Sequence, residues 1–112
     1  MKKKIKILNY NTIDSDGDFF IEGCAEINNP VLLNHNFDHN KPFGRVDVYS
    51  EKEGLFIEIN SDIFEGLFPS IGFQIIKMTK LEGGINRIDK IKLNQVGLCE
   101  KPNIDKTIKP ID

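Results

Sequence analysis

Gly44-Arg-Val-Asp-Val-Tyr49, then Ser50-Glu-Lys-Glu-Gly54, then Leu55-Phe-Ile-Glu-Ile59: this stretch decides the fold class. Val46 and Val48 share one face of an extended chain, with Arg45 and Asp47 on the other. After a polar turn ending in glycine, Leu55, Ile57 and Ile59 again fall on one face. Period-two alternation on both sides of a glycine turn predicts a β-hairpin with one face buried. No segment of the chain shows sustained helical periodicity.

The same pattern extends outward from the hairpin. Lys4-Ile-Lys-Ile-Leu8 alternates charged and apolar residues and predicts a half-buried strand. Phe19 to Ala25 and Val31 to Asn34 supply further short strands, separated by Asn28-Asn-Pro30. Asn60-Ser61-Asp62 offers a helix N-cap. Gly66 and Pro69 limit the helix it could start to a single turn. Ser70 opens a long strand through Met78, a Lys-Leu-Glu-Gly-Gly turn at 80–84 reverses the chain, and strands over Ile85–Lys92 and Leu93–Cys99 come next. The apolar set changes parity between Ile88 and Ile91, which predicts a bulge. Ile104 and Ile108 are candidate anchors for the polar segment after Pro102. Six or seven short strands predict an all-β fold, a compact and mostly antiparallel β-barrel, as one domain over 1–112. Val46, Val48, Leu55, Ile57, Ile59, Ile71, Phe73 and Ile91 are the predicted core.

A chain of 112 residues buries roughly 65% of its unfolded surface and needs no disulfide or metal to hold its core. Formal net charge is −2, so bulk electrostatics gives no reason to expect nucleic acid. Lys2-Lys3-Lys4 reads as the solvated start of a strand. The two cysteines, Cys24 and Cys99, sit far apart in apolar runs and read as reduced, buried thiols of a cytosolic setting. No apolar run reaches membrane-span length, and the N-terminus lacks a signal-peptide core.

Two places carry chemistry. Val31-Leu-Leu-Asn-His35 ends an apolar strand on a histidine, held rigidly beside a loop, as a general base requires. Pro69-Ser70-Ile-Gly-Phe73 places a hydroxyl at a strand start. Asp14-Ser-Asp-Gly-Asp18 has the opening spacing of a calcium loop. Its glycine comes too early and the twelfth position is Ala25, so a turn with Asx hydrogen bonds is expected instead. His35 and His39 have the four-residue spacing of helical metal ligands, but Pro42 and the asparagines break any helix and no third ligand is evident. No metal and no cofactor are expected.

Taken together, Asp14 to about Asn103 resembles the prohead maturation proteases of tailed phages, whose fold is related to the herpesvirus assemblin protease. The resemblance rests on Asp14–Asp18 with Gly23, Val31–His35, Pro42-Phe-Gly-Arg-Val46, Gly54-Leu55, Ser70-Ile-Gly-Phe73, and Lys92–Leu98 followed by Pro102-Asn103. Each motif alone is weak; their common order makes the joint match more specific. The resemblance implies a barrel in which Ser70 attacks a scissile carbonyl and His35 takes its proton.

This chain departs from the family pattern. Where the closing strand usually carries an acid, an apolar residue and a small hydroxyl residue, it has Gln95-Val96-Gly97. A neutral amide cannot stabilise an imidazolium as a carboxylate does; Glu100 lies nearby but off the motif position. About ten residues separate Ile59 from Ser70, where the family holds a substantial helix. The connection from Gly23 to Pro30 is also short, and little chain remains after Pro102. The expectation is therefore a degenerate barrel reused for binding: an auxiliary or decoration subunit of a phage virion that contacts the major capsid protein or other capsid subunits. Homo-oligomerisation is compatible with this role, and no membrane or nucleic-acid contact is expected. The alternative is an active serine maturation protease that uses His35 and Ser70, with His39 as a candidate third member. On this reading His35 and Ser70 lie on neighbouring strands, their Cα atoms within roughly 12 Å, the separation from which side chains can converge.

Overall fold

A computed structural model describes residues 2–112. It is all-β, with nine strands: β1 (Lys2–Asn9), β2 (Asp18–Phe20), β3 (Ala25–Glu26), β4 (Val31–His35), β5 (Asp38–Val46), β6 (Val48–Ser50), β7 (Gly54–Asn60), β8 (Phe68–Lys80) and β9 (Asn86–Cys99). Two 3-10 turns, Ser61–Ile63 and Glu82–Gly84, complete the regular structure. Asn60 caps the first by accepting from the Asp62 N–H, as the sequence predicts.

The strands form two open sheets, one of them mixed, in place of the predicted compact, mostly antiparallel β-barrel. The small sheet has the order β1-β7-β6 and is antiparallel throughout. The large sheet is mixed and is built on β9. β8 runs antiparallel along one edge of β9. Along the other edge β2, β3 and β4 succeed one another, all parallel to β9, and β5 pairs antiparallel with β4. Closure fails because β8 has no strand partner besides β9.

The predicted strand from Gly44 to Tyr49 is in fact two strands. Asp47 interrupts it, so Val46 ends β5 in the large sheet and Val48 begins β6 in the small one. The hairpin is thereby shortened to Val48–Ser50 against Leu55–Ile57. Asn29, which precedes a cis Pro30, spans this corner. Its amide donates to the Val48 carbonyl at 2.9 Å and accepts from the Val48 N–H at 2.8 Å, as a neighbouring strand would.

Packing obeys the alternation. Ile7, Leu55 and Ile57 of the small sheet and Ile88, Ile91, Val96 and Leu98 of the large one are fully buried in one cluster. Each contributes about 1.5–3 kcal/mol by leaving water. A register shift between Lys6 and Leu8 lets consecutive residues Ile7 and Leu8 both face inward. Gly54 makes the pairing of β1 with β7 possible, because a Cβ there would overlap the Leu8 carbonyl oxygen. The predicted parity change appears as register shifts opposite Lys90, between Ile75 and Met78, although β9 runs on unbroken through it. Of the predicted core, Ile71 and Phe73 are only half-buried. Ile108 anchors the C-terminal segment and Ile104 does not; Ile111 does, buried and hydrogen-bonded through its backbone to Gly66 and Leu67.

Candidate functional site

The two residues with chemistry meet β9 from opposite sides. β4 pairs His35 with Leu98 and Asn34 with Gly97. β8 pairs Pro69 with Leu98 and Ser70 with Gly97. His35 and Ser70 are thus not on neighbouring strands: β9 lies between them. Two strand spacings place their Cα atoms roughly 10 Å apart, inside the expected distance. Their rows, however, differ by one residue. Residues in one row share a face and successive rows alternate. His35 therefore stands with Leu98 and Pro69 on the core side, while Ser70 stands with Gly97 and Asn34 on the opposite face.

On the core side, the His35 ring sits edge-on to Phe43, with centroids 6.0 Å apart, and Phe43 packs in turn on Phe64 at 4.9 Å. His35 Nε2 is 3.3 Å from Glu100 Oε1, while Nδ1 lies 3.5 Å from the Asn36 amide nitrogen. The imidazole thus has a carboxylate partner, at the residue off the motif position. Glu100 is mostly exposed, which places the pair in water-screened surroundings.

Ser70 lines a groove of about 440 Å³ with Asn36, Cys99, Glu100, Lys101, Asn103 and Ile104, so the carboxylate partner of His35 also borders the serine groove. Gln95 occupies the same face as Ser70, in one row with Leu32 and Gly72. Its Oε1 accepts from Asn34 Nδ2 at 2.7 Å, and its row and its partner keep it off the His35 ring. His39 is exposed on β5, with β4 and β9 between it and the strand of Ser70. The structure brings His35 together with Glu100, and Asn34 with Gln95. It does not bring His35, Ser70 and Gln95 into one constellation.

Asn34, Phe37, Gly72 and Gly97 shape this region in ways that a reading of motifs does not show. Asn34 is fully buried, and its Oδ1 has no hydrogen-bond partner. Phe37 has φ 59° in the turn joining β4 to β5, a conformation rare for a bulky residue. Its ring lies over Gly97, where an added Cβ would come within 2.6–2.8 Å of ring carbons. Gly72 makes room in the same way for the Gln95 side chain. The available signal is two glycines inside strand runs, which mark close approach of a neighbour.

Elsewhere, carboxylate oxygens of Asp14, Asp16 and Asp18 lie within 4.8 Å of one another. Asp14 Oδ1 accepts from the N–H groups of Asp16 and Asp18 at 2.9 and 3.1 Å, the Asx turn expected from the sequence. Burial, with the neighbouring negative charges, raises the Asp14 carboxyl above its ordinary value. Both cysteines are free; Cys24 is buried and Cys99 half-buried. Burial pushes the Cys24 thiol up to about 11 and raises Cys99 as well, so neither thiol is activated as a nucleophile. No helix among the described residues is long and apolar enough to cross a membrane.

The geometry defines an all-β protein of two open sheets, with His35 and Ser70 in successive rows across β9 and Glu100 between the imidazole and the serine groove. Comparison with protein families, curated proteins and solved structures finds no match to this chain.

Proposed function

We propose that this chain is a structural protein of a tailed-phage virion: an auxiliary or decoration subunit, assembled in the host cytoplasm, that binds the major capsid protein and does not cleave it. The order of the motifs from Asp14 to Asn103 supports the phage context. The observation that carries the non-catalytic reading is the row offset across β9. A serine and a histidine on opposite faces of one sheet do not share the proton that nucleophilic attack must release. With Gln95 bonded to Asn34, no acid stands at the usual position. A concentration of apolar surface on β8 supports a binding role, because exposed clusters of large apolar side chains mark interaction sites.

The alternative, an active serine maturation protease cleaving scaffold and capsid precursors, draws on two observations: the His35 ring has a carboxylate partner in Glu100, and Glu100 also borders the Ser70 groove. Co-expression with the capsid and scaffold proteins of the source genome separates the two. Wild type and Ser70→Ala should yield the same capsid protein length, and both should remain on purified particles. Capsid protein shortened by wild type and left intact with Ser70→Ala would establish the protease. Particles free of the chain in both cases would remove the capsid-subunit reading.

A further inference from the structure

We infer that β8 is a strand-addition site for an extended partner segment in which apolar and acidic residues alternate. This deepens the binding-subunit reading and rests on it for the existence of a partner; the site itself stands on β8.

β8 is thirteen residues long and pairs only with β9. Near its start the C-terminal segment covers the edge, with Asn103 Nδ2 donating to the Pro69 carbonyl at 2.9 Å; from Gln74 to Lys80 the outer edge presents backbone groups with no strand beside them. A long, apolar, unpaired edge is unusual, because natural sheets keep such edges short or cover them. The stretch Gln74–Met78 is exposed. Of the nine exposed large hydrophobic residues among those described, Ile75, Ile76, Met78 and Leu81 fall within seven consecutive positions.

The two faces of β8 differ in chemistry. Phe73 pairs with Leu93, Ile75 with Ile91 and Met78 with Ile88. The β9 member of each pair is buried, whereas Phe73 is half-buried and Ile75 and Met78 are exposed. The apolar layer of the sheet thus continues to its edge and stops there uncovered. On the other face Gln74 pairs with Lys92 and Lys77 with Lys90. No carboxylate is within ion-pair distance of Lys77, Lys80, Lys90 or Lys92 among the described residues.

Charge selects the occupant. β8 contains Lys77 and Lys80 and no acidic residue. Asp89 lies near Lys77 but is bonded to Thr79 and Arg87; pairing with a second copy of β8 would bring the lysines of both edges together, and like charges brought together across strands are destabilising. An added strand presents alternate side chains to opposite faces. Apolar residues on one face would extend the row Phe73–Ile75–Met78, while acidic residues on the other would meet Lys77, Lys90 and Lys92. Main-chain hydrogen bonds would supply the pairing itself.

The test uses the full chain with two synthetic probes: a short peptide of alternating valine and glutamate, and its valine–lysine counterpart. Amide exchange and backbone chemical shifts should show the acidic peptide protecting residues 74–80, with no such protection from the basic one. The double variant Lys77→Glu, Lys90→Glu, both exposed and checked by thermal melting, should bind the acidic peptide about tenfold more weakly, from the charges lost and reversed on the face that meets its glutamates. Equal binding of both peptides, protection elsewhere, or no protection at all overturns the inference. Capsid binding that survives the double variant also overturns it while leaving the capsid-subunit reading intact. Peptide capture without capsid binding supports the β8 site and removes the capsid.

Discussion

Gly97 is the position at which the candidate site can be tested by packing alone. An added Cβ there would stand 2.6, 2.7 and 2.8 Å from three carbons of the Phe37 ring. Carbon atoms rest at about 3.5–4.0 Å, so the ring must retreat by roughly 1 Å. The backbone of Phe37 is fixed in the tight turn between β4 and β5, at φ 59°, so its half-buried ring must turn about its own side-chain bonds and give up its contact with Gly97. Gly97→Ala should therefore cost about 1–3 kcal/mol, the usual range for overpacking. For a domain of this size that lowers Tm by roughly 4–12 °C. Gly97→Ser, which restores the small hydroxyl residue of the protease pattern, should cost at least as much. The assay is thermal and urea unfolding monitored by circular dichroism, run as a double-mutant cycle with Phe37→Ala. Removing the ring should reduce the cost of Gly97→Ala to below about 0.5 kcal/mol, leaving a coupling of about 0.5 kcal/mol or more. Additive effects, or a Gly97→Ala protein as stable as wild type, would refute the reasoning.

Further perturbations give distinct readouts. Gly54→Ala forces a Cβ onto the Leu8 carbonyl oxygen and should cost roughly 3 kcal/mol or more, seen as a lowered urea midpoint. Ile57→Ala empties a fully buried site and should cost about 2–5 kcal/mol in the same measurement. With a thiol reagent at mildly alkaline pH, native Cys99 should label slowly and Cys24, whose thiol burial pushes up to about 11, should not label until urea unfolds the chain. At Asp105, burial opposes the charge, but hydrogen bonds from the Thr107 and Asn9 side chains outweigh it and hold the carboxyl below its ordinary value. The stability this contributes is present above the unfolded value of about 3.9 and is lost as pH falls through the lower folded value. Asp105→Asn should cost about 1 kcal/mol at neutral pH and flatten the stability profile below pH ~4.

The elements legible in the sequence are those governed by local periodicity. The alternation of Leu55, Ile57 and Ile59 identifies β7 and its buried face, and the repeated carboxylates of Asp14–Asp18 identify an Asx turn. The architecture is not legible in the same way. Whether Val46 and Val48 belong to one strand or two depends on which sheet each joins, and the alternation runs through Asp47 without a break. The parallel docking of β2, β3 and β4 on β9 is a long-range choice that no local pattern encodes. At the candidate site, the types of His35 and Ser70 are readable but their faces are not. A row offset of a single residue across β9 sends them apart, and register of that kind is fixed by distant packing. Glu100 comes to the imidazole because β9 ends just beyond Leu98, a boundary the apolar run leaves ambiguous.

The placement of β9 also bears on how the protein is made. β2 and β3 find their strand partner, and β4 its second partner after β5, in a strand some sixty residues further along the chain; His35 pairs with Leu98. At roughly 5–20 residues per second, synthesis leaves that stretch of the nascent chain waiting about 3–13 s for the strand it must join. The small sheet can assemble meanwhile, since β1, β6 and β7 all precede β8. Val31 and Leu33, buried in the finished molecule, remain open to chaperones and to neighbouring nascent chains until β9 clears the ribosome.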